Sequence, residues 1–253
     1  YRKHFSAPAA WKGRKVFIEF EAVRQIFDVF LYGQRKKKKK SGFTPFGFDL
    51  TPHLKVGQDN VLAVMVDNRF QKDPWDPKPA APGTVSPNLA ELSKRLMEQI
   101  PDTLEELQAD QIPWNNPHWH PAHGGLYRNV RLIVTDPLHL TLPLYSFLQT
   151  EGPYAYATSV SAERAEIGVD VTLRNDHAVK RDYLVTVTLR DAEGRVIRTL
   201  SQTGTLPAQR LSRHRFASTV PKPRLWEPGS PHVYRVAIAI ESEGRTVDTT
   251  EIP

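Results

Sequence analysis

Apolar and polar residues alternate with a period of two through most of this chain, and this feature restricts the fold more than any other. Val16-Phe17-Ile18-Glu19-Phe20, Val61 to Val66, Val130 to Val134, Ile167 to Leu173, Leu184 to Leu189, Arg195 to Arg198 and Val233 to Ile240 all show it. Successive side chains of a β-strand point to opposite faces, so each such run buries one face and wets the other. β-branched residues are abundant in these runs and turn signals separate them, the combination expected of antiparallel sandwiches. Asp191-Ala192-Glu193-Gly194 marks a hairpin between two of the strands. A chain of 253 residues accommodates two domains of ordinary size, and Thr135-Asp136-Pro137 reads as the break between them. The expected fold class is therefore all-β, with one sandwich over residues 1–136 and a second, of about seven short strands, over residues 137–253.

One stretch departs from this rhythm. Residues 71–118 are rich in proline and then turn helical. Ser86-Pro87 resembles an N-cap with proline at the first helical position, and Leu89, Leu92, Leu96 and Ile100 recur at spacings of three and four. Pro101 ends that helix, and Asp102 to Glu105 fits a capping box for a second short one. A helical insertion of this length in a β-domain belongs to the class of long loops that carry function or are disordered.

Net charge is +6, which raises the question of nucleic acid. Five of those positives form one run, Lys36 to Lys40, and the remaining charges are mixed in sign; this is the pattern of a solvated surface, and no nucleic-acid partner is expected. The lysine run itself has three readings: an exposed edge strand guarded by its charges, a segment of poorly defined identity, or a contact to an anion. No window approaches the roughly 18 consecutive apolar residues of a membrane helix, so no membrane partner is expected. The chain contains no cysteine, which removes disulfides and thiolate metal sites but leaves the compartment open between bacterial cytoplasm and periplasm.

Several motifs, in order, carry a family resemblance. Tyr1-Arg2-Lys3-His4-Phe5 is followed by Val16-Phe17-Ile18-Glu19-Phe20-Glu21-Ala22-Val23 and by Phe27-Asp28-Val29-Phe30-Leu31-Tyr32-Gly33. Gly42-Phe43-Thr44-Pro45-Phe46-Gly47-Phe48-Asp49-Leu50-Thr51 comes next, then Asn60 to Asn68, then Gly124-Gly125-Leu126-Tyr127-Arg128-Asn129-Val130, and finally Leu225-Trp226-Glu227-Pro228 through Tyr234. Their sequence and spacing resemble the front of glycoside hydrolase family 2, the β-galactosidase/β-glucuronidase class. The resemblance implies a galactose-binding-like jelly roll first, an immunoglobulin-like sandwich second, and a catalytic (β/α)₈ barrel as partner domain in the parent chain. That family's two acidic catalytic residues lie in the barrel. Retaining hydrolysis needs two carboxylates about 5–5.5 Å apart, and no such pair is assignable here, so the catalytic set is none and the chain by itself is expected to be inactive. In two places the chain departs from the pattern: Tyr32-Gly33 stands where Asn-Gly is expected, and Lys36 to Lys40 stands where an alternating strand is expected.

In the family the segment just before the two glycines helps shape the sugar subsite. Here it runs Trp114-Asn115-Asn116-Pro117-His118-Trp119-His120-Pro121-Ala122-His123. Indole faces stack on the C–H surfaces of pyranoses, while amides and imidazoles hydrogen-bond hydroxyls. Asn115, Asn116, Trp119, His120 and His123 are therefore the candidate substrate-binding residues, against the alternative of a merely well-packed loop. His118, His120 and His123 do not match a standard metal spacing, and neither metal nor cofactor is expected. Arg128 is expected to form a structural salt bridge, and Trp226 to pack in a core or an interface. Two other functions stay open at this level: a stand-alone carbohydrate-binding module, and a purely structural pair of β-domains. A homo-oligomer is possible under any of these readings.

Overall fold

A computed structural model describes residues 1–24, 26–40, 45–67, 124–142 and 151–253. The described residues are β-strands joined by turns, with 3-10 turns at Ala9–Trp11 and Thr51–His53 and no α-helix among them. The chain is all-β. The helical insertion expected over residues 71–118 lies outside the described residues. Two compact units emerge: Tyr1–Lys12 with Ile18–Leu132, and Gly13–Phe17 with Ile133–Pro253.

In the first unit β1 (Arg2–Ser6), β4 (Ile26–Leu31), β5 (Gln34–Lys40) and β7 (Asp59–Asp67) make an antiparallel sheet in the order β1-β7-β4-β5. A second sheet has the order β6-β2-β9, from β6 (Phe46–Asp49), β2 (Lys15–Phe20) and β9 (Val130–Thr135); β2 and β9 both cross the division between the units. The alternation does what the sequence requires of it: Phe27, Val29 and Leu31 of β4 are wholly buried, as is Phe20 of β2. Phe20 stacks on Phe46 at 4.7 Å between centroids, and Phe46 stacks on Phe27 at 4.5 Å. Offset aromatic stacking of this kind stabilises a core beyond the area it buries. Gly47 lacks a side chain for a reason of space, since a Cβ there would sit 2.8 Å from the Ile18 carbonyl oxygen.

The lysine run Lys36 to Lys40 lies in β5, which among the described residues pairs with β4 alone and stands at the end of its sheet. Charged edge strands discourage pairing with other chains. The unusual Tyr32-Gly33 pair makes the β4–β5 turn with both residues at positive φ, 52° and 78°, the requirement of a type I′ hairpin. Tyrosine is strained there, yet its hydroxyl donates to Asn60 Oδ1 and its ring lies 4.2 Å under Lys55 Nζ. These contacts give a tyrosine something that an asparagine in the turn would lack.

The second unit is a two-sheet sandwich of the immunoglobulin-like kind. Its first sheet centres on the long β12 (Arg164–Asn175), which pairs with β15 (Arg210–Pro221) along its whole length. The other edge of β12 is shared by β10 (Leu138–Leu140) and β11 (Tyr154–Val160), one at each end. Its second sheet has the order β14-β13-β16-β17, from β13 (Arg181–Arg190), β14 (Val196–Leu206), β16 (Arg235–Ser242) and β17 (Arg245–Ile252). Val169, Val171 and Leu173 face Val185, Val187, Ile238 and Ile240 across the core. A polar tie crosses the same space: His214 is 93% shielded, its Nε2 lies 3.1 Å from both Tyr183 Oη and Ser212 Oγ, and its Nδ1 lies 3.0 Å from Gln202 Oε1. Burial holds the His214 pKa below the usual imidazole range. The Asp191–Gly194 turn joins β13 to β14: the Asp191 carboxylate accepts the Glu193 and Arg195 N–H groups, and Gly194 supplies φ 81°. β16 and β17 join through Glu243-Gly244, both at positive φ, a hairpin the sequence patterning did not flag.

Candidate functional site

Asn115, Asn116, Trp119, His120 and His123 all lie outside the described residues, as do His118 and the rest of the segment from Trp114. What is described is the root on which that segment stands. Immediately after it, β8 (Gly125–Leu126) pairs with β3 (Val23–Arg24). One carboxylate ties the two strands together beyond the Val23–Leu126 end of the pairing. Glu21 Oε2 accepts from the Asn129 backbone N–H at 3.3 Å and its Nδ2 at 3.1 Å, and Oε1 accepts from Arg131 Nη2 at 2.6 Å. The Glu21 N–H in turn donates to the Asn129 carbonyl at 3.0 Å. Two motifs a hundred residues apart in sequence thus meet, the first supplying the acid and the second the Asn129 amide, with Arg131 just beyond it supplying the guanidinium.

Gly125 takes φ +83°, and a Cβ on it would fall 2.1 Å from Tyr1 Oη; this glycine is fixed by backbone shape and by close approach. Beside it, Arg24 is 98% shielded. Burial lowers its guanidinium pKa, opposed in part by Tyr127. Charge-assisted bonds to planar groups are what a buried guanidinium requires. Both Glu21 oxygens are occupied by donors, so the carboxylate holds Asn129 and Arg131 in place and is not free to act as a general acid or base. Arg128, expected to form a salt bridge, instead lies exposed with its guanidinium 6.0 Å from the Tyr127 ring; the ion pair of this motif belongs to Arg131. Arg24, Glu21 and Arg131 were not singled out from the sequence. Glu21 was visible inside its motif, but no spacing rule connects it to Asn129.

The second unit holds a denser ionic network around Asp136, the residue before the Pro137 break. Asp136 is 97% shielded and accepts from the Leu138 N–H at 3.0 Å, Arg14 Nη1 at 3.2 Å and Arg245 Nη2 at 3.2 Å; His177 Nε2 lies 3.2 Å away. Burial alone would raise its carboxyl pKa, but these donors outweigh burial and hold it below the usual range. The same contest, won more decisively, depresses Asp176, which faces His139, Arg174 and Lys15. Asp248 goes the other way: burial pushes its carboxyl up although it accepts from the Leu140 and Thr249 N–H groups. Each of these carboxylates is held by its own set of donors, which gives the network a structural character. Among the described residues no three His, Asp or Glu side chains gather as a metal site would need. Trp226, expected to pack in a core or an interface, is 61% exposed.

Comparison with known proteins fits this geometry. Residues 1–78 match the family described as "Glycosyl hydrolases family 2, sugar binding domain", and residues 153–252 match "Glycosyl hydrolases family 2". The chain belongs to glycoside hydrolase family 2. As a family 2 chain it is 38% identical over its whole length to a β-glucuronidase of Formosa agariphila, and spans 22% of that protein. It is 27% identical over its whole length to a β-galactosidase of Bacteroides ovatus, and spans 24% of it. Among solved structures it superposes with a TM-score of 0.79 on a family 2 β-glucuronidase that is 37% identical, covering 99% of this chain and 23% of the other. A Bacteroides uniformis β-glucuronidase, 22% identical with a TM-score of 0.73, shares the fold; the match covers 99% of this chain and 25% of that one. The family 2 chain described here thus corresponds to about a quarter of the length of its relatives.

Proposed function

We propose that this chain is the non-catalytic, substrate-shaping part of a family 2 glycoside hydrolase acting on β-linked sugars. Residues 1–136 would be its sugar-binding jelly roll, with the insertion at 71–118, and residues 137–253 its immunoglobulin-like domain. A (β/α)₈ barrel in the parent protein would supply the paired carboxylates, and a carbohydrate would be the substrate. The observation that carries this reading is the end-to-end match to proteins named β-glucuronidase and β-galactosidase that are four times longer. The geometry supports it: the root of the Trp114–His123 segment is clamped by Glu21, Asn129 and Arg131, as a loop held in register for recognition would need.

Within this reading Asn115, Asn116, Trp119, His120 and His123 line the subsite for the terminal sugar. The test pairs two measurements on alanine variants of these residues in the parent enzyme. A residue that contacts substrate should lower kcat/KM by an amount equivalent to roughly 1–3 kcal/mol per hydrogen bond while thermal stability holds. If kcat/KM is unchanged across all of them, the segment is scaffold and the assignment fails. A companion assay uses the 253-residue chain with aryl β-glycosides. No turnover is expected, and turnover above background would refute the non-catalytic reading.

A further inference from the structure

The outer face of the second unit's first sheet carries a feature that packing of that unit does not call for. Gly168 of β12 stands opposite Ala217 of β15 in the ladder, so two neighbouring positions on this face have almost no side chain. The result is a shallow cleft of about 280 Å³. On β11, Tyr156 stands opposite Gly168, and its phenol end lies down over the glycine: a Cβ on Gly168 would come within 2.4 Å of Tyr156 Cζ. Tyr154, two residues earlier and on the same face, stacks on Tyr156 with centroids 5.4 Å apart and planes inclined by 22°, and is 62% exposed. The register shift between Ala157 and Ser159 puts an extra residue into β11 beside this pair, and such bulges bend a strand and re-aim its side chains.

The wall opposite the rings is polar. Arg215 binds Asp170 with two parallel bonds, Nε to Oδ1 at 2.7 Å and Nη2 to Oδ2 at 3.1 Å. The pair is exposed, so it contributes little to folding. A guanidinium has five N–H donors and a carboxylate about four lone-pair directions, so the bidentate pair keeps donors and acceptors that its own two bonds do not use, on side chains open to solvent. It is neutral as a unit, as is the nearby Arg164–Glu166 pair at 3.4 Å. Stacked aromatic faces beside a rigid, charge-balanced row of donors and acceptors suit a ligand with flat C–H faces and vicinal hydroxyls. They do not suit a polyanion, which would call for uncompensated cations.

We propose that this face, built on Tyr154, Tyr156, Gly168, Asp170 and Arg215, is a binding site for a neutral oligosaccharide. The rings stack on pyranose faces, while the Arg215–Asp170 pair hydrogen-bonds paired hydroxyls. Tyr156 also shields Gly168, a structural service that Tyr154 does not share.

The test is calorimetric titration of the 253-residue chain with cellotetraose, β-1,4-galactotetraose and xylotetraose at millimolar concentration. The expected result is saturable binding of at least one, weakened about tenfold or more by Tyr154→Ala and by Arg215→Ala with the melting temperature held, each tenfold being about 1.4 kcal/mol. Arg235→Ala, on the other sheet, should leave it unchanged. Absence of saturable binding to all three sugars, or binding that survives either Tyr154→Ala or Arg215→Ala, overturns the proposal.

Discussion

Replacing Asn60 tests whether the motif asparagine is there to hold a turn or to meet a ligand. Asn60 is wholly buried. Its Nδ2 donates to the Lys55 carbonyl at 3.1 Å and the Gln58 carbonyl at 2.9 Å, while its Oδ1 accepts from the Lys55 N–H at 3.0 Å and from the Tyr32 hydroxyl. All four hydrogen-bonding directions of the amide are spent inside the protein, so nothing remains for a sugar. Asn60→Ala removes four bonds worth about 0.5–1.5 kcal/mol each net. Lys55 and Gln58 are exposed, so water recovers part of the loss, and the expected cost is about 2–3 kcal/mol. For a unit of this size that is roughly a 10 °C fall in its melting temperature, read by differential scanning calorimetry. Asn60→Asp should cost as much or more at pH 7, because it sets a carboxylate against two carbonyl oxygens, and should recover on acidification as the introduced carboxyl gains a proton to donate. Tyr32→Phe, which deletes one of the four bonds, should cost about 1 kcal/mol. A melting temperature that is unmoved by Asn60→Ala would refute the reasoning.

Acid should destabilise the second unit in a way that depends on Asp176 and Asp136. Their folded pKa values lie below the unfolded carboxylate value, so their stabilisation is complete above about pH 4 and is lost as pH falls further toward the folded values; Asp176→Asn should flatten the decline of melting temperature below pH 4. Asp248, raised by burial, works in the opposite sense and in a higher window: its contribution is complete below about pH 4 and is lost as pH rises through its folded value, so Asp248→Asn should flatten the loss of melting temperature above pH 4 and leave the decline below it unchanged. Glu21→Ala should loosen the β3–β8 pairing and cost roughly 1 kcal/mol, since the Arg131 side of the clamp is solvent-exposed, and hydrogen exchange at the Val23 and Leu126 amides should accelerate. Glu243→Asn should stabilise by about 0.5–1 kcal/mol, because Asn accepts the positive φ of a type I′ turn at less cost than Glu; the check is the midpoint of urea unfolding.

The strands were legible in the sequence because burial on one face of a sheet writes itself as alternation: Tyr183, Val185, Val187 and Leu189 are all inward on β13. The start of β16 was read two residues early, at Val233, because an apolar residue beside Tyr234 continues the pattern although Val233 is 44% exposed. Tyr32-Gly33 looked like a defect, and only the contacts to Asn60 and Lys55 explain it. The clamp around Glu21 could not be read, since a carboxylate's partner a hundred residues away leaves no periodic trace. The two tyrosines on β11 were equally silent: alternation places Tyr154 and Tyr156 on one face but does not say that Gly168 lies opposite.

The Glu21–Asn129–Arg131 clamp bears on how freely the segment between β7 and β8 can diverge. Residues 68–123 begin where β7 leaves the interior of a sheet and end at a strand pinned by one carboxylate. Once both ends of a connection are held by the body of a domain, the entropy of closing it rises only with the logarithm of its length, about 0.6 kcal/mol for each doubling. Insertions and deletions between those two anchors therefore cost the rest of the unit little.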